Sequence, residues 1–244
     1  MQQVYKATIV YDGTDYHGWQ RQPQKRTIQG LLERALFKVT QKQIPVIGAG
    51  RTDAGVHAKG QTAHFRISLS ITEKDLFKAL NSLLPPDIRI DKLETVDSDF
   101  HARRSALSKI YQYRINNSPS VSPFDIRYVF HWRGQLDTQE MKAGAALFIR
   151  EDDFNPFSSN RFLHPVRKIT RSEITLKGDE ILYTVEASGF LRYMVRTMVG
   201  TLLEIGKGRY KAQEIDEIFR GKKRTLASPT APPQGLTLLK VNYP

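Results

Sequence analysis

Cysteine is absent from the 244 residues. That excludes disulfides, cysteine-ligated zinc, iron–sulfur clusters and a thiol nucleophile, and it suits a reducing cytoplasm. No apolar run approaches the roughly 20 residues that a membrane-spanning helix needs. The N-terminal segment Gln2-Gln3-Val4-Tyr5-Lys6 enters a strand-like pattern without the apolar stretch of a signal peptide, so no membrane association is expected. Low-complexity tracts are missing too. His57, His64 and His101 lack the spacing of a metal set such as H-E-x-x-H, so no metal is expected and each reads first as a structural residue. Negative charge is the scarcer sign: 37 Lys+Arg face 25 Asp+Glu, a net charge of +12 at pH 7. Split at Arg103, both parts of the chain are basic. A polyanionic partner follows, nucleic acid ahead of an anionic membrane, because no Lys/Arg-rich amphipathic helix carries exposed Trp or Phe. A merely well-solubilised basic surface is the plainer alternative.

What remains is an ordinary globular composition, 40% hydrophobic and 25% charged, long enough for one large domain or two small ones. Val4 to Tyr11 alternates as a strand and ends in the turn signal Asp12-Gly13. Ile28, Leu31, Leu32, Ala35, Leu36 and Val39 predict an amphipathic helix after an N-cap at Thr27. Gln61 to Ile67 predicts a strand. Thr72-Glu73-Lys74-Asp75 resembles a capping box with Asp in place of Glu, opening a helix that Pro85-Pro86 stops. In the second part, Ile110 to Ile115 reads as a strand and Asp137 to Ile149 as a helix. Ile169 to Leu176 and Ile181 to Ala187 form a hairpin across Lys177-Gly178-Asp179-Glu180. From Phe190 the apolar residues Leu191, Met194, Val195, Met198, Val199, Leu202 and Leu203 define the strongest helix, ended by Gly206 and Gly208. Ala212 to Arg220 predicts another helix, followed by the basic run Lys222-Lys223-Arg224, a Pro-rich stretch and a last strand, Leu236 to Val241. The fold class is α+β: two similar sub-domains, 1–103 and 104–244, with mainly antiparallel mixed sheets flanked by helices.

The densest polar segment is Gly48-Ala49-Gly50-Arg51-Thr52-Asp53-Ala54-Gly55-Val56-His57-Ala58. Its glycines allow positive φ or close backbone approach, and they surround an Arg, an Asp and a His able to act on a ligand. Neither the phosphate loop G-x-x-x-x-G-K-S/T nor the dinucleotide pattern G-x-G-x-x-G fits, since Asp53 stands where the third glycine is required. On chemistry alone two readings stay open: an active-site loop, or a tight turn in which Asp53 caps a helix or closes an Asx-turn.

The segment Arg51 to Ala58, with Gly48 and Gly50 before it and Gln61 to Phe65 after it, closely resembles the signature of the tRNA pseudouridine synthase A family. Tyr11-Asp12-Gly13-Thr14, His17-Gly18-Trp19-Gln20-Arg21-Gln22, Phe100-His101-Ala102-Arg103, Tyr111-Gln112-Tyr113-Arg114, Asp153-Phe154 and Phe190-Leu191-Arg192-Tyr193-Met194-Val195-Arg196 with Gly200 follow in family order. The blocks span most of the chain.

The resemblance implies a pseudouridine synthase-like fold with an active-site cleft between its halves, and an isomerase acting on uridines 38, 39 and 40 of the tRNA anticodon arm. It makes Asp53 the nucleophile, whether by adding to C6 of the base or by attacking or deprotonating the sugar. Either route needs an ionised carboxylate, so a nearby cation is required. By resemblance the cation is Arg196, which on a helical wheel lies roughly 100° from Val195, off the apolar stripe and on the flank of Gly200. Tyr111 becomes the active-site tyrosine, although alternation with Tyr113 and Ile115 equally suits a core strand. Arg51 is the residue that fills the gap left by the flipped base. Phe100, His101, Ala102, Arg103 and Arg104 correspond to a tRNA-contacting stretch, with Arg104 standing where the family often has an aromatic or aliphatic residue. Ser158 to Arg161 falls in a second RNA-contacting region, and Leu236 borders the target base. No cofactor is implied, tRNA is the partner, and the family forms homodimers. Two competitors belong to other classes. A non-catalytic RNA-binding scaffold would tolerate loss of the Asp53 carboxylate, and a metal-assisted nuclease would want clustered carboxylates, which Asp53 lacks in its own motif.

Overall fold

The computed structural model describes residues 2–68, 70–222 and 227–244. Of the basic run, Lys223 and Arg224 lie outside the described residues. The architecture is mixed α/β, with mostly antiparallel strands flanked by helices. By contact the chain divides into residues 1–107 with 238–244, and residues 108–237.

In the first unit, β1 (Gln3–Tyr11) pairs antiparallel with both β3 (His57–Ile67) and β4 (Ile88–Val96). Alternation along β1 buries Tyr5, Ala7, Ile9 and Tyr11 on one face. Helices α1 (Ile28–Thr40) and α2 (Glu73–Leu83) supply Leu32, Leu36 and Leu80, which close with Ala7, Ile9, Phe65 and Ile90 over one apolar core. The short β2 (Ile47–Gly48) pairs with β3 and delivers the chain to the Asp53 segment. The Thr72 box forms with a modification: Thr72 Oγ1 accepts from Asp75 N at 3.1 Å and donates to the Asp75 carboxylate at 2.6 Å. Thr27 sits at its N-cap in an extended conformation, but its hydroxyl makes no capping bond. Glu33 does unforeseen work here, accepting from Gln29 Nε2 at 3.0 Å and from Val46 N at 3.1 Å to tie down the approach to β2.

In the second unit, β9 (Glu180–Ala187) lies between β5 (Ser108–Asn116) and β8 (Val166–Lys177), antiparallel to both. The predicted hairpin turn is present, with Gly178 at φ +57°. β6 (Phe130–His131) adds a short parallel pair to β5, and β7 (Glu151–Asp153) edges β8. Helix α3 (Thr138–Ala146) ends three residues before the predicted Ile149. Helix α5 (Glu214–Gly221) lends Phe219 to a cluster with Phe148, Phe154 and Phe157. Helix α4 (Met194–Gly206) starts four residues after the predicted Phe190, and nearly its whole circumference is buried. Strand β10 (Leu236–Asn242) gives Leu236 and Thr237 to this unit and its remainder to the first, where it lies beside β3. Among the described residues, no helix is long and apolar enough to cross a membrane.

Candidate active site

Asp53 is half-buried on a short loop between β2 and β3, and the loop is held by backbone on several sides. Ala49 N donates to Thr62 O at 2.7 Å, and Gln61 Nε2 to Gly50 O at 3.0 Å. Trp19 N donates to Thr52 O at 3.1 Å, the Tyr11 hydroxyl meets Thr52 Oγ1 at 2.8 Å, and Val56 N closes a turn on Asp53 O at 3.2 Å. Burial raises the Tyr11 phenol's pKa, keeping it neutral as a fixed hydrogen-bonding partner for Thr52.

The backing segment is residues 11–19, and two glycines make its close approach possible. A Cβ at Gly13 would lie 2.0 Å from the Val56 carbonyl oxygen, and one at Gly18, where φ is +83°, 2.6 Å from the Thr52 carbonyl oxygen. His57 is buried and its Nδ1 accepts the Gly13 N–H at 3.0 Å, while the Asp12 carboxylate lies 3.2 Å from the same nitrogen. The blocks Tyr11 to Thr14 and His17 to Trp19, which carried no role on sequence grounds, are thus the wall that shapes the Asp53 loop. Their signal was the pair of glycines. Arg51 is exposed at the start of the same loop.

The same unit builds a second feature at residues 100–104. His64 is buried, and its Nδ1 accepts the Ala102 N–H at 3.1 Å, while its ring also bonds to the Ile47 backbone. Burial, then the charges of His101, Arg66 and Arg104, pull the His64 pKa down to about 4, so the ring is neutral near pH 7. His101 Nδ1 accepts from both Arg103 N and Arg104 N at 3.2 and 3.3 Å. Burial and the neighbouring Arg104 lower its pKa as well. The Tyr243 hydroxyl donates to Ala102 O at 2.6 Å, and the Tyr243 ring packs 5.2 Å from that of Phe100. Ala102 is buried, whereas Arg103 and Arg104 are exposed. The turn is therefore a braced mount for two cations.

In the second unit, Tyr111 shares the buried face of β5 with Tyr113 and Ile115. The Phe190 ring meets the Tyr111 ring edge-on, with centroids 5.1 Å apart. Arg196 is half-buried on the first turn of α4, where its Nε donates to Ala231 O at 2.7 Å and its carbonyl accepts from Ala231 N at 3.0 Å. Residues 229–236 are pinned elsewhere as well. The Tyr113 hydroxyl donates to Pro232 O at 2.8 Å, and a Cβ at Gly200 would stand 1.9 Å from the Pro229 oxygen. Leu236 is buried where this segment becomes β10. Ser158 is buried and bonded to the Arg192 carbonyl, while Ser159, Asn160 and Arg161 are exposed. Among the described residues, no cluster of His, Asp and Glu could hold a metal ion.

A family model described as tRNA pseudouridine synthase matches residues 7–103 and 145–244. A protein of Thermodesulfovibrio yellowstonii named tRNA pseudouridine synthase A is 44% identical over 98% of each chain. Proteins of the same name from Limosilactobacillus reuteri and Methylacidiphilum infernorum are each 42% identical over 98% of this chain and 96% and 95% of their own. The chain belongs to the tRNA pseudouridine synthase family.

Proposed function

We propose that this protein isomerises uridine to pseudouridine in the anticodon stem-loop of tRNA, at positions 38, 39 and 40, with Asp53 as nucleophile. The N1–C1′ bond breaks, the uracil turns while held, and a C5–C1′ bond forms. C5 gives up its proton and N1 takes one, so the product is an isomer and no redox partner or cofactor enters. The observation that carries the reading is a half-buried carboxylate on a loop fixed by main-chain bonds, in a chain matched end to end by synthases of this name.

Each further role follows from chemistry. Arg196 supplies the positive charge that keeps the carboxylate ionised. Tyr111 offers its ring to the face of the detached uracil and its phenol oxygen to proton removal at C5. Arg51, exposed beside Asp53, fills the space of the flipped base, Leu236 borders that base, and Phe100 to Arg104 set two cations against phosphates. The reading also includes two sub-domains that form a cleft, a homodimer that shares one tRNA, and a cytoplasmic location.

Tritium release from tRNA labelled at C5 of uridine tests the proposal. The native protein is expected to release tritium, and Asp53→Ala to release none while still binding tRNA. No release by either, across a full set of tRNAs, would leave a non-catalytic RNA-binding scaffold. Unchanged activity in EDTA would dispose of the metal-assisted alternative.

A further inference from the structure

Tyr193, at the N-cap of α4, has φ 64° and ψ 1°. A bulky residue enters this left-handed region only where its surroundings hold it, and such positions concentrate at functional sites. Its carbonyl accepts from Thr197 N at 2.9 Å, so the strained residue is the one that starts the helix. The preceding carbonyl, of Arg192, accepts from Ser158 Oγ at 3.1 Å and from Ser159 N at 3.2 Å, which fixes the turn from outside. The ring is only half-buried, so core packing is not what offsets the strain. What it meets instead is charge: the guanidinium carbons of Arg192 and Arg196 both lie 5.0 Å from its centroid.

We propose that Tyr193 is a positioning residue for Arg196, its left-handed backbone turning the ring face against that guanidinium and so fixing the direction in which Arg196 acts. The inference rests on the role given to Arg196 above. A guanidinium is planar, and an aromatic face against it limits how far it can turn about its hydrogen bonds. Here the Ala231 carbonyl grips the group through its Nε–H, and the Tyr193 π-face constrains it from another side. The same turn carries Phe190, whose ring edge abuts Tyr111, so residues 190–193 brace both proposed catalytic groups of this unit.

The test compares Tyr193→Phe, Tyr193→Leu, Tyr193→Asn and Arg196→Ala with the native protein, by single-turnover tritium release, tRNA affinity from filter binding, and thermal melting. Phe keeps the π-face and is expected to react within about twofold of native. Leu keeps bulk without the face, and Asn keeps tolerance of the left-handed conformation without the ring. Both are expected to slow the chemical step by roughly tenfold or more with tRNA affinity nearly unchanged. Asn is expected to do so without lowering the melting temperature, which separates positioning from folding. Native rates in Leu and Asn, a Phe variant as slow as Leu, or a loss carried mainly by tRNA affinity would each overturn the proposal. Native rates in Leu and Asn beside a slow Arg196→Ala would overturn it alone, whereas a native rate in Arg196→Ala would remove the assignment of Arg196 as well.

Discussion

His64 shows how one side chain can join a strand to a neighbouring turn. Its neutral ring accepts from Ala102 N and bonds to the Ile47 backbone, which requires the tautomer protonated at Nε2. With a folded pKa of about 4 against the usual 6.5, the unfolded chain binds the proton more readily, so stability rises with pH across that window. The contribution of the neutral ring is full above pH 6.5 and is lost as pH falls toward 4. Between pH 6.5 and 5 the expected loss is about 2 kcal/mol. His64→Gln, whose amide can keep both backbone partners without titrating, is expected to flatten this dependence. Urea unfolding at several pH values checks it, and equal slopes in both proteins would exclude His64 as the source. Gly13 gives a steric counterpart. Its missing Cβ would meet the Val56 oxygen at 2.0 Å, so Gly13→Ala must push the Asp53 turn aside. The expected result is a loss of about 1–3 kcal/mol in stability and at least tenfold in tritium release. At Gly178, φ is +57° and nothing lies within 4 Å, so Gly178→Ala is expected to cost about 1 kcal/mol and leave activity untouched. Asp53, Arg51 and Arg196 stand out as candidates in the sequence because a family signature names residue types. Gly13 and Tyr193 do not, since backbone clearance and a dihedral angle leave no such mark, and His64 reads as a structural histidine whose tautomer only the fold reveals.

Among the elements, legibility followed periodicity. β1, β5, the β8–β9 hairpin, α1 and α2 lie where alternation or three-and-four spacing put them, whereas β3 begins four residues before the predicted Gln61, at His57. β2 and β7, of two and three residues, are too short to show a period, and they form because a neighbouring strand offers its edge. The start of α4 was misread for a different reason. Phe190 and Leu191 are apolar at helical spacing, yet their side chains serve a turn, and hydrophobic pattern does not separate a turn that packs from a helix that packs. The burial of α4 all round also explains Gly200. The helix lies so close to residues 229–231 that a Cβ would stand 1.9 Å from the Pro229 oxygen. Gly200→Ala is therefore expected to force the helix and that segment apart, at a cost of about 3 kcal/mol. Because the Ala231 carbonyl that holds Arg196 belongs to the same segment, activity is expected to fall further than the melting temperature alone would explain. Unaltered release by Gly200→Ala would mean that this segment does not set the arginine.

For the whole molecule, the excess of +12 matters only where cations are displayed rather than consumed. Several are consumed: Arg114 pairs with Glu180, Arg150 with Asp216, and Lys207 and Arg209 with Glu204. Arg51, Arg103, Arg104 and Arg161 are exposed and take part in none of these pairs. Binding of a polyanion by displayed cations releases condensed counterions, so the logarithm of affinity falls linearly with the logarithm of salt, by roughly 0.7 per phosphate on single-stranded RNA. If four phosphates are neutralised, tRNA affinity is expected to drop roughly 50-fold between 50 and 200 mM salt. The slope can be divided among residues. Replacing Arg103 and Arg104 together by Ala should reduce it by about 1.4, one phosphate each, whereas Arg209→Ala should leave it unchanged because that charge is already met by Glu204. Filter-binding titrations across salt read both numbers. A slope untouched by the double substitution would take the 100–104 turn out of the RNA interface, and with it the reason for His64, His101 and Tyr243 to brace that turn so firmly.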